Sequence, residues 1–322
     1  MSSQKITHEA IETERKARSE TNKSDLLYWT FDKEYPLHSN AGILVAGGAG
    51  VGKSYFIYKR LLPIYIKYGG YKTILIASRM GKFDATTASE LDEDIYKDVY
   101  IEFIKMNETY EVCQRIRANA IINEYLQKLM KIKKDKDLLK INKELTSLMK
   151  ASGELTIIRD ELEKLHQLFN KFLTISIPEI VDYATLLFNR GSGITFNPVI
   201  VVFDDYSGSD EFIKPYSDIH KLIFCRRHLH LTMVMSVQSL TTISTSIRRN
   251  CTEFICFSTL SPKDVKLLSD RIPVQYTYKE LLNDFIKISQ EDDRNQKIIS
   301  IFTVFPNHKV IIGLPRCVLE IK

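Results

Sequence analysis

The 322 residues include a single tryptophan, 13 glycines and nine prolines. So little glycine and proline excludes a collagen-like or low-complexity chain. No apolar run approaches the ~18 residues that a membrane-spanning helix needs. The first twenty residues, MSSQKITHEAIETERKARSE, contain no apolar core, so no signal peptide is expected. Five cysteines stand at 113, 225, 251, 256 and 317. Their number is odd and none form a CxxC pair. The expectation is free thiols in a reducing compartment, with Cys225 and Cys256 in the core, and a soluble intracellular protein. Neither charge sign dominates: the net charge is +5. That permits a polyanionic partner without demanding one. With 44% hydrophobic and 26% charged residues, the chain can bury one large core or two small ones.

Residues 1–40 are polar and read as an extension, partly helical. At Ala41 the character changes. GILVAGG is a short apolar strand that ends in glycines. SYFIYKRLLPIYIKYG has helical spacing and stops at Gly69 and Gly70. YKTILIAS and VYIEFI are further strands. Strand, helix and strand at this length predict a parallel sheet with crossover helices. Strand patterns resume in NPVIVVFDD, LTMVMSVQ, TEFICF, KIISIFTVF and HKVIIGL. SPKDVKLLSDRI and KELLNDFIKIS are helical, and FPNH reads as a hairpin turn.

Between 107 and 173 glycine nearly vanishes. Leu138, Ile141, Leu145 and Leu148 recur every three or four residues. Leu155, Ile158, Leu162, Leu165, Phe169 and Phe172 do the same. This predicts a helical hairpin that turns near Ala151 to Gly153. The lysines of KLMKIKKDKDLLK are expected on a solvated face. The expected organisation is an extension (1–40), a core (41–106 and 174–322) and the inserted hairpin (107–173).

GGAGVGKS directly follows the first strand. Gly47, Gly52, Lys53 and Ser54 fit G-x4-G-K-S, the phosphate-binding loop. Small residues let successive backbone N–H groups turn toward phosphates, and the loop runs into a helix N-terminus that favours anions. Gly47, Gly48, Ala49, Gly50, Val51, Gly52, Lys53, Ser54 and Tyr55 are therefore expected to bind ATP. Lys53 reaches the β- and γ-phosphates, and the Ser54 hydroxyl ligates Mg²⁺. The simpler alternative is a glycine-rich turn that needs neither Lys53 nor Ser54.

The apolar run VIVVF enters Asp204 and Asp205. Alone, two aspartates beyond a strand are turn formers. Beside a phosphate loop they acquire a function, because P-loop enzymes end a strand near the loop in an Mg²⁺-holding aspartate. Asp204, first off the strand, is assigned to the metal. Asp205 is assigned to orienting and deprotonating the attacking water. His228 and His230, two apart, would share a strand face; without a carboxylate or cysteine cluster they do not suggest a metal site.

GGAGVGKS, VVFDD, RRHLHLTMVMSVQS and IRRN, in this order and spacing, resemble the FtsK–HerA superfamily of DNA-pumping ATPases. Within it they look most like the genome-packaging ATPases of poxviruses and other nucleocytoplasmic large DNA viruses. The resemblance covers about 41–104 and 176–270. It implies an α/β RecA-like P-loop core with a mainly parallel sheet, forming a ring, commonly a hexamer, with ATP at subunit interfaces. It implies that Gln238 is a polar sensor of the γ-phosphate. Arg226, Arg227, Arg248 and Arg249 become candidates for an arginine delivered to a neighbour's ATP, Arg248 and Arg249 ahead of the others. The superfamily often has Asp-Glu where this chain has Asp204-Asp205, which leaves the base open.

The expected function is an ATP-driven double-stranded DNA translocase that packages a viral genome. Its expected partners are DNA, other copies of itself and a capsid or vertex protein, in the virion or the host-cell cytoplasm. Two alternatives stand beside it: a cellular or plasmid DNA pump, and a nucleotide-dependent assembly scaffold with little turnover.

Overall fold

The computed structural model describes residues 38–78, 91, 94–151, 155–190, 198–206, 208–271, 276–291, 297–303 and 309–312. The extension up to residue 37, most of the predicted hairpin turn after Ala151, the FPNH turn and Cys317 lie outside the described residues.

Strand β1 (Gly42–Ala46) passes through the glycine loop into α1 (Lys53–Phe56), a π-helical turn (Ile57–Leu61) and α2 (Leu62–Gly69). Strands β2 (Thr73–Ser78) and β3 (Tyr100–Ile104) precede four helices, α3 (Thr109–Leu129), α4 (Asp135–Ala151), α5 (Thr156–Phe172) and α6 (Ile177–Arg190). Then come β4 (Val199–Asp204), α7 (Asp210–Ile213), α8 (Asp218–Leu229), β5 (Leu231–Val237), α9 (Thr245–Asn250) and β6 (Glu253–Phe257). Helices α10 (Pro262–Leu268) and α11 (Tyr278–Ser289) and strands β7 (Ile298–Phe302) and β8 (Lys309–Ile312) complete the described chain.

All eight strands join one sheet in the order β3-β2-β4-β5-β1-β6-β7-β8. The first six run parallel, while β7 and β8 are antiparallel. A parallel sheet covered on both faces needs strands that are apolar throughout rather than alternating. Ile200, Val201, Val202 and Phe203 of β4 are accordingly fully buried, as are Ile43, Leu44 and Val45 of β1. Truncating one of them, as in Ile200→Ala, removes about 2–5 kcal/mol. Gly70, in the left-handed region at φ 64°, ends α2, a conformation that glycine adopts without strain.

Residues Glu108–Asn197 form a separate compact unit. It holds four helices where the sequence reads a single hairpin. Leu138, Ile141 and Leu145 of α4, and Ile158, Leu162, Leu165, Phe169 and Phe172 of α5, are buried as their spacing requires. The extra partners were hidden for different reasons. Helix α3 packs on α5 and α6, but polar Gln114 interrupts its apolar stripe. That side chain is buried, and its Oε1 accepts the Ile157 N–H at 3.1 Å. Helix α6 begins beyond the last heptad-like position and resembles the core segments that follow, yet its Ile180 and Ala184 are buried within this unit. Lys131, Lys133 and Lys134 are exposed in the turn between α3 and α4 rather than on a helix face.

Cys113, Cys251 and Cys256 are buried free thiols. Cys225, expected in the core, is only partly buried on α8.

Candidate nucleotide site

The glycine loop is shaped by contacts on both sides. Gly47 N–H donates to the Val237 carbonyl at 3.1 Å, and Gly48 N–H to the Thr259 hydroxyl at 2.8 Å. A Cβ on Gly47 would lie 2.7 Å from the Cβ of Phe257, so the loop can pack on β6 only with glycine there. Gly52 caps α1 at φ 93°, a conformation strained for any residue with a side chain. Lys53 Nζ donates to the carbonyls of Gly47 and Gly48, both at 2.7 Å, and so curls back over its own loop. Burial pulls the Lys53 pKa down, while Asp204 and then Asp205 push it up. A half-buried ammonium held by two backbone carbonyls can exchange them for phosphate oxygens. Ala49 and Gly50 lie exposed at the loop tip, Val51 is partly covered, and Tyr55 is half exposed on α1.

At the end of β4, Ser54 Oγ lies 3.5 Å from Asp204 Oδ1, and Tyr58 OH lies 3.3 Å from Asp204 Oδ2. Ser236 of β5 also donates a side-chain hydrogen bond to Asp204. Desolvation raises the Asp204 pKa, and the three hydroxyls oppose that shift. A carboxylate facing a hydroxyl beside Lys53 is a set of hard oxygen donors that fits Mg²⁺. Asp205 follows at φ 55°. Aspartate tolerates this left-handed conformation better than most residues. The turn divides the pair: Asp204 faces Ser54 and Tyr58, while Asp205 is exposed.

The aspartate strand is not the immediate neighbour of β1. Strand β5 lies between β1 and β4, in register with both. Gln238, the residue after β5, therefore stands between the phosphate loop and the two aspartates. The segment beyond it is clamped by Asp264, which sequence reasoning did not single out. Asp264 Oδ1 accepts the Ser239 hydroxyl at 2.6 Å and the Leu240 N–H at 2.8 Å. Its Oδ2 closes a capping box with Ser261 at the start of α10. SPKD signals the cap in the sequence, but nothing local signals the bond to Ser239.

The arginines are not gathered at this site. Helix α8 leads into the N-terminal end of β5, the edge opposite the glycine loop, while α9 follows the segment beyond Gln238. Arg226 is buried, with Nε donating to the Asn40 carbonyl at 2.9 Å and Nη1 to the Ile223 carbonyl at 2.6 Å. Arg248 Nη1 donates to the Leu240 carbonyl at 2.8 Å and also to that of Ile243. Arg227 and Arg249 are exposed. His228 lies in the last turn of α8 and His230 is its left-handed C-cap at φ 53°, so the two do not share a strand face. Among the described residues, no group of three or more His, Cys, Asp or Glu side chains could hold a metal ion. No described helix is long and apolar enough to cross a membrane.

No curated protein matches the chain. The genome-packaging NTPase B204 from Sulfolobus turreted icosahedral virus 2, in complex with sulfate, is similar at 12% identity and a TM-score of 0.41, over 85% of this chain and 96% of that one. The DNA-packaging ATPase B204 of Sulfolobus turreted icosahedral virus has 11% identity and a TM-score of 0.42, over 86% of this chain and 98% of that one. The cytoplasmic domain of the Thermomonospora curvata type VII secretion ATPase EccC has 11% identity and a TM-score of 0.42, over 89% of this chain and 28% of that one. The resemblance carried by the motifs recurs in the comparison of families: residues 179–314 match the family described as Poxvirus A32 protein.

Proposed function

We propose that the chain is a P-loop ATPase of the viral genome-packaging kind, converting ATP and water to ADP and phosphate to move double-stranded DNA. The observation that carries this reading is the convergence of Lys53, Ser54, Asp204 and Gln238 on one edge of the sheet, with Ser54 and Asp204 3.5 Å apart. The match of residues 179–314 to the Poxvirus A32 protein family directs that ATPase toward packaging.

The loop amides and Lys53 bind the β- and γ-phosphates, and Lys53 exchanges the Gly47 and Gly48 carbonyls for them. Ser54 and Asp204 would hold Mg²⁺, which supplies neutralisation of phosphate charge. Asp205, exposed beside Asp204, orients the water and accepts its proton. Gln238 would meet the γ-phosphate with its amide. These groups act by alignment more than by covalent chemistry. In a ring, which the resemblance suggests is hexameric, Arg249 and Arg227 are the exposed candidates for an arginine that reaches a neighbour's ATP. DNA would be gripped mainly through its phosphates. A capsid or vertex protein would be the docking partner, in the virion or the host cytoplasm.

The test is ATP turnover of the full chain with and without duplex DNA. DNA-stimulated hydrolysis that disappears in Lys53→Ala is the expected result. An oligomer that hydrolyses ATP with indifference to DNA would overturn the translocase reading. Slow turnover unchanged in Asp205→Asn would favour the assembly scaffold.

A further inference from the structure

The helix behind the glycine loop changes register at one place. Leu62 N–H bonds the carbonyl of Ile57, five residues back, rather than that of Tyr58. The next residue, Pro63, has no N–H to give. The Tyr58 carbonyl lies between these two defects and accepts the hydroxyl of Tyr96. A π-helical turn inside an α-helix is uncommon and frequently marks a functional site.

The consequence lies on the side chain. Ser54 and Tyr58 are four residues apart, so their side chains leave the same helix face. Both hydroxyls reach Asp204, Ser54 at Oδ1 and fully buried Tyr58 at Oδ2. If Ser54 turns its hydroxyl oxygen toward a cation, it no longer restrains Asp204. Tyr58 bonds the other carboxylate oxygen, Oδ2.

We propose that Tyr58 is a positioning residue: its hydroxyl holds Oδ2 of Asp204 and so keeps Oδ1 turned toward Ser54 and the cation position, while Pro63 and Tyr96 fix Tyr58 there through the π turn. This rests on the reading of Ser54 and Asp204 as the Mg²⁺ pair. Partners that orient a ligating carboxylate typically change metal affinity by about 10-fold or more when removed.

The experiment titrates Mg²⁺ into the full chain with a fluorescent, non-hydrolysable ATP analogue, and repeats the binding in EDTA. For Tyr58→Phe, the Mg²⁺ concentration at half-maximal binding rises about 10-fold, and the affinity in EDTA is unchanged. Pro63→Ala restores the missing N–H and favours the regular helix. It shows the same Mg²⁺ shift without a lower melting temperature. Tyr65→Phe is the control, since Tyr65 is equally buried but its hydroxyl donates to the His38 carbonyl; it lowers stability and leaves the Mg²⁺ titration alone. An unchanged Mg²⁺ titration in Tyr58→Phe, against a Mg²⁺-dependent wild type, overturns the inference alone. A wild type whose binding ignores Mg²⁺ overturns the metal site and the inference with it.

Discussion

Gly48 and Thr259, 211 residues apart in sequence, are joined by a 2.8 Å hydrogen bond from the glycine-loop N–H to the threonine hydroxyl. One amide of the phosphate loop is thus held by the turn after β6. Thr259→Val keeps the shape and removes the acceptor. The expected result is a KM for ATP several-fold higher, from about 1 kcal/mol of lost loop order, with little change in kcat. Steady-state kinetics decide it, and an unchanged KM would show that the loop needs no such tether.

Asp205 sits at φ 55°, so substitutions there act on both backbone and chemistry. Asp205→Asn keeps a residue that tolerates the left-handed region and removes only the charge. Turnover should fall at least 100-fold while the melting temperature stays the same. Asp205→Glu offers a longer base but a side chain less suited to that conformation, and should lose about 1 kcal/mol of stability. If Asp205→Asn retains near-normal kcat, the water is oriented by another group.

Arg248 and Arg249 are neighbours with different expected phenotypes. Arg248→Ala leaves the Leu240 and Ile243 carbonyls short of a donor. It should cost about 1–3 kcal/mol in thermal or denaturant melts. Arg249→Ala removes an exposed side chain and should leave the melt unchanged. Its loss should appear only in turnover that rises with protein concentration, as expected for an arginine acting across a subunit interface. Equal stability losses in both variants would contradict this division.

His38 links stability to pH. Burial lowers its pKa from 6.5 to about 4. Between those values the unfolded chain takes up a proton that the folded chain refuses. Stability should therefore fall as pH drops from 6.5 toward 4, by up to about 3 kcal/mol. Buried Glu253, whose Oε1 accepts the His38 N–H at 3.2 Å, has a raised pKa and works in the opposite sense. The difference between wild type and His38→Gln isolates the histidine. The loss of stability from pH 7.5 to 5 should be smaller in the variant than in the wild type, and parallel pH slopes would exclude the effect.

The eight strands were legible because each is a short, largely apolar run, as the interior of a sheet covered on both faces requires. The glycine loop and Asp204 were legible because their chemistry dictates local spacing. Features that depend on strand order were not. No residue in VIVVFDD reveals that β5 intervenes before β1. Asp264 reads as a helix cap, and its second role depends on Ser239 being folded against it. Helix α8 was absorbed into the pattern of the strand that follows, since CRRHLHL carries no break before Leu231. The Asp205 anomaly became intelligible only with its φ angle, which gives a reason for the shorter acid.

Leaving β5 between β1 and β4 also sets a gauge. Adjacent strands lie about 4.8 Å apart, so the strand ends carrying the glycine loop and Asp204 are separated by roughly 10 Å. The end of β5, followed by Gln238, lies in that gap. Yet Ser54 leans from α1 to within 3.5 Å of Asp204. The gap therefore narrows from the strand ends to this one pair of oxygens.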